Sequence, residues 1–400
     1  MKIAITCPAS LPATPFGGIL MVAVNLAKKI AEKNHEITIY TTDLNFTEKK
    51  MNFDKKLPTD EMIDGFKIKR SHVFLKIYMY FINPNIFFQL KKDNPNVIHI
   101  IGIRSFQAFT AAIISKFNKI PLTVSDYGGL TTHPEIQKTK TIKKIFYKIQ
   151  NPMLKFIMNQ ADVIIAANEY EKKDFLNICK TDKIQIIKNG IDLNKLQSNK
   201  LNFKNKYSCP EKIILFVGRF SLVKGIDILL KSFKELSENK KYSNIKLVIL
   251  GSDFGYYTKM MKMIKEFNLK EKTIVVVNPS REDVISAYHA CEFLVLPSRW
   301  ELSPLTPLEG FACKKTVISS NISGIPFVIS HNKTGLLVES ENYKELTKVM
   351  EKLFDEPEFR KNLEKNAFIE VTEKLNSDKM TEGFLQVFEN IVKKKGLNHY

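Results

Sequence analysis

A chain of 400 residues that is 44% hydrophobic can build two full-sized cores, at roughly 100–200 residues per domain. Its five cysteines (Cys7, Cys179, Cys209, Cys291 and Cys313) are scattered with no Cys-x-x-Cys pair, which argues against a disulfide framework or zinc site and fits a reducing cytoplasm. The formal net charge is +19, and residues 1–190 carry +12 of it, 28 Lys/Arg against 16 Asp/Glu; such a bias attracts polyanions, with anionic lipid headgroups and nucleic acid the usual candidates.

The opening Met1–Pro8 is too short an apolar run for a signal peptide. No segment reaches the roughly 18 apolar residues of a membrane-spanning helix. The expectation is a cytoplasmic protein, peripheral at most on the inner face of a membrane.

Strands are predicted at Lys2–Cys7, Glu36–Thr41, Asn96–Ile101, Pro121–Ser125, Asp162–Ala166 and Lys183–Ile187, with helices between them, such as Gly18–Lys33, Ser105–Phe117 and Thr141–Asn159. Nearly continuous apolar strands separated by amphipathic helices predict a parallel sheet covered on both faces. The polar stretch Asn194–Pro210 reads as a linker. The alternation then restarts with strands at Lys212–Val217, Lys246–Leu250, Thr273–Val277, Phe293–Pro297 and Thr316–Ser320. A helical tail follows from about Tyr343 to Lys395. The predicted class is α/β, with two doubly wound Rossmann-like domains facing across a cleft lined by the carboxyl ends of both sheets. The predicted divisions are 1–192, a linker 193–210, 211–375, and a helix 376–400 returning to the first domain.

Several stretches of the first half stand out. Phe74–Phe88 is rich in aromatics, for which core packing is the expected explanation. His99 ends a strand and is expected to be structural. In the run Lys138–Lys155, six lysines (138, 140, 143, 144, 148 and 155) occur with no acid between Glu135 and Asp162. Ile142, Ile145, Phe146, Ile149 and Met153 recur there at helical spacing. Either this is a basic amphipathic helix lying on a membrane, or its apolar stripe faces the core. In both cases its lysine face attracts anionic lipid, at about 1 kcal/mol per residue near the surface.

In the second half, strand Lys212–Val217 runs into Gly218-Arg219-Phe220-Ser221-Leu222-Val223-Lys224-Gly225. Arg219 and Lys224 bracket this loop at the sheet's ligand-binding edge, where two cations could neutralise a diphosphate. A merely solvated Arg and Lys would read the same way. It is neither a P-loop nor a Gly-x-Gly-x-x-Gly fingerprint. Further on, Glu301 and Glu309 stand eight residues apart around a predicted helix start. Thr306 is placed to cap that helix, Pro307 to open it and Glu309 to close a capping box; such a box would explain Glu309 with no function. Free backbone N–H groups at a helix start can hold an anion.

Taken together, Gly218-Arg219 through Lys224-Gly225, Glu301-x7-Glu309, Gly324-Ile325-Pro326, Thr334-Gly335-Leu336-Leu337-Val338, Asn189-Gly190-Ile191-Asp192 and Phe16-Gly17-Gly18 resemble the family 4 retaining glycosyltransferases (group 1) of the GT-B fold, over most of the chain. The resemblance implies that Arg219 and Lys224 hold a nucleotide diphosphate and stabilise its departing charge, beside Gly218 and the N–H groups of Leu305 and Thr306. It implies that Glu309 accepts ribose hydroxyls and that Glu301 binds the donor sugar near a developing oxocarbenium ion. Gly17 and Gly18 would face the reaction centre. Apart from the resemblance, Arg104, at the opening of the helix after Asn96–Ile101, is a candidate to meet an anionic acceptor. Where many members carry a His before the glycine of Ser125-Asp126-Tyr127-Gly128-Gly129, this chain has Tyr127, with His133 the candidate substitute six residues on. Phe327 stands where Glu is usual, and Pro304 where Gly is common.

The chain contains no Asp-x-Asp, and the implied chemistry needs neither metal nor other cofactor. The implied partners are a nucleotide-sugar donor and a glycan or lipid-linked acceptor; the basic first half adds an anionic membrane surface as a candidate. With no helix-turn-helix or RNA-binding motif, nucleic acid is not expected. A sugar-nucleotide epimerase of similar fold and a non-catalytic nucleotide-sugar-binding protein are the alternatives.

Overall fold

The computed structural model describes every residue except 48–49, 138–140, 199–200, 210 and 397–400. The chain divides into two compact units, Met1–Asn189 with Ser377–Tyr400, and Gly190–Asn376. Among the described residues no helix is long and apolar enough to cross a membrane.

The first unit is built on an eight-stranded sheet in the order Ile184–Ile186, Val163–Ala166, Leu122–Ser125, Val97–Ile101, Lys2–Thr6, Glu36–Thr42, Phe66–Ser71, Asp60–Ile63. Its neighbours pair in parallel except at the last edge, where Asp60–Ile63 runs antiparallel to Phe66–Ser71. The central strands are buried along almost their whole length, as expected where helices cover both faces. Strand order reverses between Lys2–Thr6 and Val97–Ile101, which opens a crevice at their carboxyl ends.

Within the second unit, six strands are all parallel, in the order Thr273–Val277, Ile245–Gly251, Lys212–Val217, Phe293–Leu296, Thr316–Ser320, Leu336–Val338. Order reverses between Lys212–Val217 and Phe293–Leu296, so the loops that follow these two strands emerge side by side. Helix Ile226–Glu238 buries Ile226, Leu229, Leu230, Phe233 and Leu236 against this sheet, the stripe its 3.6-residue period calls for.

The polar stretch 193–210 carries two short helices, Leu193–Gln197 and Phe203–Lys206, and lies in the second unit. Leu196, Phe203 and Cys209 join the second core; apolar residues so thinly spaced among Asn and Lys leave no periodic signal. The helix Ser377–Lys394 belongs to the first unit, whose core includes Met380, Phe384, Phe388 and Ile391. The predicted helix Thr141–Asn159 is two, Thr141–Ile149 and Asn151–Gln160, broken before a proline in the first turn of the second.

The aromatic stretch Phe74–Phe88 departs from the core-packing expectation. Leu75–Ile77 and Tyr80–Ile82 pair as a separate antiparallel hairpin. Phe81 is buried, but Leu75, Ile77, Tyr78 and Met79 of the hairpin are exposed, because a two-stranded ribbon can bury only one of its faces. Phe74 just before it and Phe88 on helix Asn85–Asp93 are exposed as well. Ile145 and Ile149 of the lysine-rich helix are exposed as well, so its apolar stripe does not all face the core. Lys138 and Lys140 of that run lie outside the described residues.

Candidate active site

The loops after strands Lys212–Val217 and Phe293–Leu296 are fastened to each other. Gly225 sits at φ +67°, and a Cβ there would fall 1.9 Å from the carbonyl oxygen of Pro297, so only glycine allows this approach. The backbone N–H of Arg299 donates to the Val223 carbonyl at 2.7 Å. Its guanidinium forks onto Asp227 at 2.8 and 2.7 Å and donates to the Leu222 carbonyl at 2.7 Å. Burial alone would raise the Asp227 carboxyl, but the Arg299 hydrogen bond and charge hold it below the usual range. Bidentate pairs of this kind fix geometry as well as charge.

On this frame the Lys224 ammonium contacts the Glu301 carboxylate, both side chains being largely buried. Ser298 Oγ donates to the same carboxylate oxygen at 3.1 Å. Behind Glu301, the Gly324 N–H donates to the Glu301 carbonyl at 2.9 Å. A Cβ at Gly324 would strike the Leu302 carbonyl oxygen at 1.6 Å. The recess around the pair, lined by Val217, Ser298, Pro304, Thr306 and Pro307 among others, measures only about 10 Å³.

The helix beside this recess runs Leu305–Ala312, earlier than its sequence suggests. Pro304 is the N-cap and makes no side-chain cap bond. Thr306 is therefore the second helical residue, Pro307 the third and Glu309 the fifth, and the expected capping box is not formed. Pro307 is tolerated inside the first turn because an N–H there has no intrahelical acceptor anyway. The N–H groups of Leu305 and Thr306 are the two that this turn leaves for an anion.

Glu309 is held by two residues that the sequence did not single out. Arg281 Nη2 lies 2.7 Å from its Oε1, and the Tyr288 hydroxyl donates to its Oε2 at 2.6 Å. The Glu309 charge raises the Arg281 pKa further, against the effect of burial. Burial, then the charge of Glu309, raises that of Tyr288. Arg281 and Tyr288 both lie on helix Arg281–Ala290, which a Ser280–Asp283 capping box starts. Seven residues separate Arg281 from Tyr288, and that spacing, two turns on one face, was the available signal. Arg219 is exposed, its guanidinium 5.1 Å from the Phe254 ring centroid. The Gly218 N–H donates to the Leu250 carbonyl at 3.0 Å, closing the strand just before the loop. The structure thus joins Lys224 to Glu301, gives Glu309 its own cation and leaves Arg219 on the rim. Phe327 is exposed.

In the first unit, a cavity of about 260 Å³ opens at the carboxyl ends of Lys2–Thr6, Val97–Ile101 and Leu122–Ser125, with Arg104, Asp126 and His133 in its walls. Gly17, at φ +105°, precedes helix Gly18–Glu32, and a Cβ at Gly18 would point into open space. Arg104 donates to the Leu130 carbonyl at 2.8 Å and to Gln150 Oε1 at 3.2 Å, and lies 5.4 Å from the Tyr147 ring centroid. Burial draws its pKa down. Tyr127, at φ +58°, packs against the core and does not line the cavity, whereas His133 does.

Three buried acids shape the cavity's loop. Asp126 accepts from the N–H groups of Ile103 (3.1 Å) and Gly128 (3.0 Å). Glu171 accepts from Tyr127 (2.8 Å) and Ala167 (2.6 Å). Asp174 accepts from the Thr131 N–H at 2.9 Å. Burial, then repulsion from Asp174, lifts Asp126 to about 6. Burial, the main cause, also lifts Glu171 to about 8. His99 is fully buried, with Nδ1 2.8 Å from Thr123 Oγ1 and its ring against Phe384 and Phe388. Burial pushes its pKa down to about 3. It is a structural residue of the core.

Residues 16–195 match the family described as Glycosyltransferase Family 4, and residues 197–369 match Glycosyl transferases group 1. The chain is 23% identical over 410 residues to N-acetyl-alpha-D-glucosaminyl L-malate synthase of Bacillus anthracis, covering 98% of each protein. It is 29% identical over 268 residues to the capsular polysaccharide biosynthesis glycosyltransferase CapM of Staphylococcus aureus, covering 64% of this chain and 69% of that one. Its fold is similar to that of sucrose-phosphate synthase from Thermosynechococcus elongatus, with a TM-score of 0.75, 18% identity and coverage of 98% and 99%. It is likewise similar to Anabaena HepE in complex with UDP, with a TM-score of 0.76, 15% identity and coverage of 98% and 100%. With both halves matched in order and two Rossmann-like domains in place, the chain belongs to the family 4, group 1 glycosyltransferases of the GT-B fold.

Proposed function

We propose that this glycosyltransferase moves a hexose from a nucleotide-sugar donor to a glycan or lipid-linked acceptor, with retention at the anomeric carbon and without a metal. The observation that carries the reading is the Lys224–Glu301 pair at the mouth of a helix N-terminus, on the edge of the sheet where strand order reverses. A cation, a carboxylate and two unclaimed N–H groups within one short frame suit a diphosphate joined to a sugar. That a structural neighbour was solved with UDP-glucose and a relative is named for capsular polysaccharide biosynthesis supports the donor and acceptor classes.

In this mechanism the bond from the anomeric carbon to the diphosphate oxygen breaks with its electron pair going to the diphosphate. Lys224, Arg219 and the N–H groups of Leu305 and Thr306 offset the charge that grows there, which is the strongest stabilisation such a site can offer. Glu301 faces the positive charge developing on the sugar. Glu309, aimed by Arg281 and Tyr288, accepts hydrogen bonds from the ribose hydroxyls. Gly17, Gly18, Arg104 and His133 are the residues proposed to bind the acceptor, whose hydroxyl attacks the face the diphosphate leaves. Its proton passes to the departing phosphate oxygen.

The test is release of nucleoside diphosphate from a panel of nucleotide sugars, with and without excess EDTA. The reading expects one or a few donors to be hydrolysed slowly without acceptor, equally well in chelator, with the anomeric configuration kept on transfer. Inversion at the anomeric carbon, or activity that chelator abolishes and a divalent cation restores, would overturn it.

A further inference from the structure

We propose that the hairpin 75–82 and the exposed side of helix Thr141–Ile149 form a docking surface for an anionic lipid bilayer that leads straight into the first unit's cavity. The acceptor is then an amphiphile, its polar head in the cavity and its apolar tail in the lipid. The docking half stands on its own; the acceptor half rests on the transferase reading.

The surface is apolar where water should be. Phe74 is 83% exposed, Ile149 70% and Met79 51%, and Leu75, Ile77, Tyr78 and Ile145 are exposed beside them. The two elements are joined by ring contacts, Tyr78 and Tyr80 lying 5.6 and 6.4 Å from Phe146. A continuous exposed apolar patch marks an interaction site. Tyr78 is the first of the two residues at the hairpin tip and sits at φ +54°, a position hairpins usually give to glycine or asparagine. The Tyr78 ring is 47% exposed there while one side of it packs beside Phe146, and amphipathic rings belong at lipid–water interfaces.

Charge selects the occupant. Neither 65–92 nor 136–161 contains an Asp or Glu, and Lys76, Lys148 and Lys155 are exposed within them. Anionic headgroups are attracted to such a surface, whereas a second copy of a chain carrying +19 is repelled by it.

Continuity with the cavity gives the surface its use. Tyr78, Met79, Tyr80 and Phe146 line the cavity, and the first three belong to the exposed hairpin. The strand ends supply polar residues to the same cavity, Arg104 and Asp126 among them. An amphiphile lifted only partly from the bilayer would keep its tail against the hairpin and present its head to Arg104.

The experiment uses the full chain with vesicles of phosphatidylglycerol mixed with phosphatidylcholine, and with phosphatidylcholine alone. Wild type should cosediment with the anionic vesicles and weaken as salt rises, since exposed charges are screened beyond about 8 Å at physiological ionic strength. The Phe74→Ser/Ile77→Ser/Ile149→Ser variant, altered only outside the cavity, should bind at least tenfold more weakly while hydrolysing nucleotide sugar at the wild-type rate. Met79→Trp should show a blue-shifted emission on anionic vesicles above the background of the single native Trp300. Equal cosedimentation of variant and wild type, or an unshifted Met79→Trp emission, overturns the docking surface. So does self-association that the triple variant abolishes in a protein that ignores vesicles. Wild type that binds vesicles through these residues yet releases nucleoside diphosphate from no donor would sink the transferase reading and leave the docking surface standing.

Discussion

Lys224 already has a partner in Glu301, so in the proposed mechanism a diphosphate arriving at the recess would have to compete for it, and the contact it wins would set Glu301 loose for the sugar. On this argument Lys224→Ala and Arg219→Ala should each lower kcat by about two orders of magnitude or more, the scale of losing one charge-stabilising group. Steady-state kinetics on protein with an unchanged circular dichroism spectrum checks this, and activity within a few-fold of wild type would remove the diphosphate role. Glu309 caps no helix, so Glu309→Gln should raise KM for the donor with little change in kcat, and Arg281→Met should shift KM the same way. A loss of melting temperature with nucleotide affinity unchanged would return Glu309 to a structural role. Titration gives another residue-scale expectation. Glu171 is lifted to about 8 in the fold, so between its unfolded pKa and 8 the folded state holds more protons, and stability falls as pH rises. His99, pushed down to about 3, works the other way, with stability rising from about pH 3 to its unfolded pKa near 6.5. From about pH 4.5 to 6.5 these two slopes cancel while Asp126, lifted to about 6, adds a fall, so melting temperature should not rise across that range. It should decline from pH 6.5 toward 8, and Glu171→Gln should flatten that decline. A profile still rising from 6.5 to 8 would contradict this. The placement of Arg219, Lys224 and Glu301 on the loops after two strands of one sheet edge was legible in the apolar strands that precede those loops, and Glu309 lies in the helix that follows. Arg281 and Tyr288 were not singled out: their seven-residue spacing puts them on one helix face but does not name the partner that face will meet.

At the scale of elements, the helix Ser377–Lys394 completes a core that begins almost four hundred residues earlier. Phe384 is fully buried and lies 5.1 Å from the His99 ring. Phe384→Ala should cost about 3–5 kcal/mol, the usual range for a buried Phe, measured by denaturant unfolding. A cost under about 1 kcal/mol would mean the helix is only loosely attached. The main strands and helices were readable because buried parallel strands are apolar throughout and the helices between them are striped. Two kinds of element were not. The helix at Leu305 begins early because prolines suit either of two first-turn placements, so Pro304 and Pro307 left its start ambiguous. The aromatic hairpin was misjudged because hydrophobicity alone cannot separate a residue meant for a core from one meant for another surface.

At the scale of the whole chain, the second unit is a continuous stretch, 190–376, set between the two parts of the first. A fragment of residues 190–376 should fold cooperatively and bind nucleotide, because its sheet and core are complete in themselves. Residues 1–189 alone should not fold stably, lacking Met380, Phe384, Phe388 and Ile391 of their core. Calorimetry of both fragments decides it, and a sharp transition for 1–189 would count against the division. The same layout has a consequence in time. At the 5–20 residues per second of synthesis, the roughly two hundred residues that separate Asn189 from the last turn of the final helix take on the order of ten to forty seconds to emerge. For that interval the first unit waits with an open groove where its last helix will lie, while the second unit, made later, can finish first. Folding of this protein on the ribosome should run against chain order, and shielding of that groove should matter more than for a protein whose domains are each sealed as they appear.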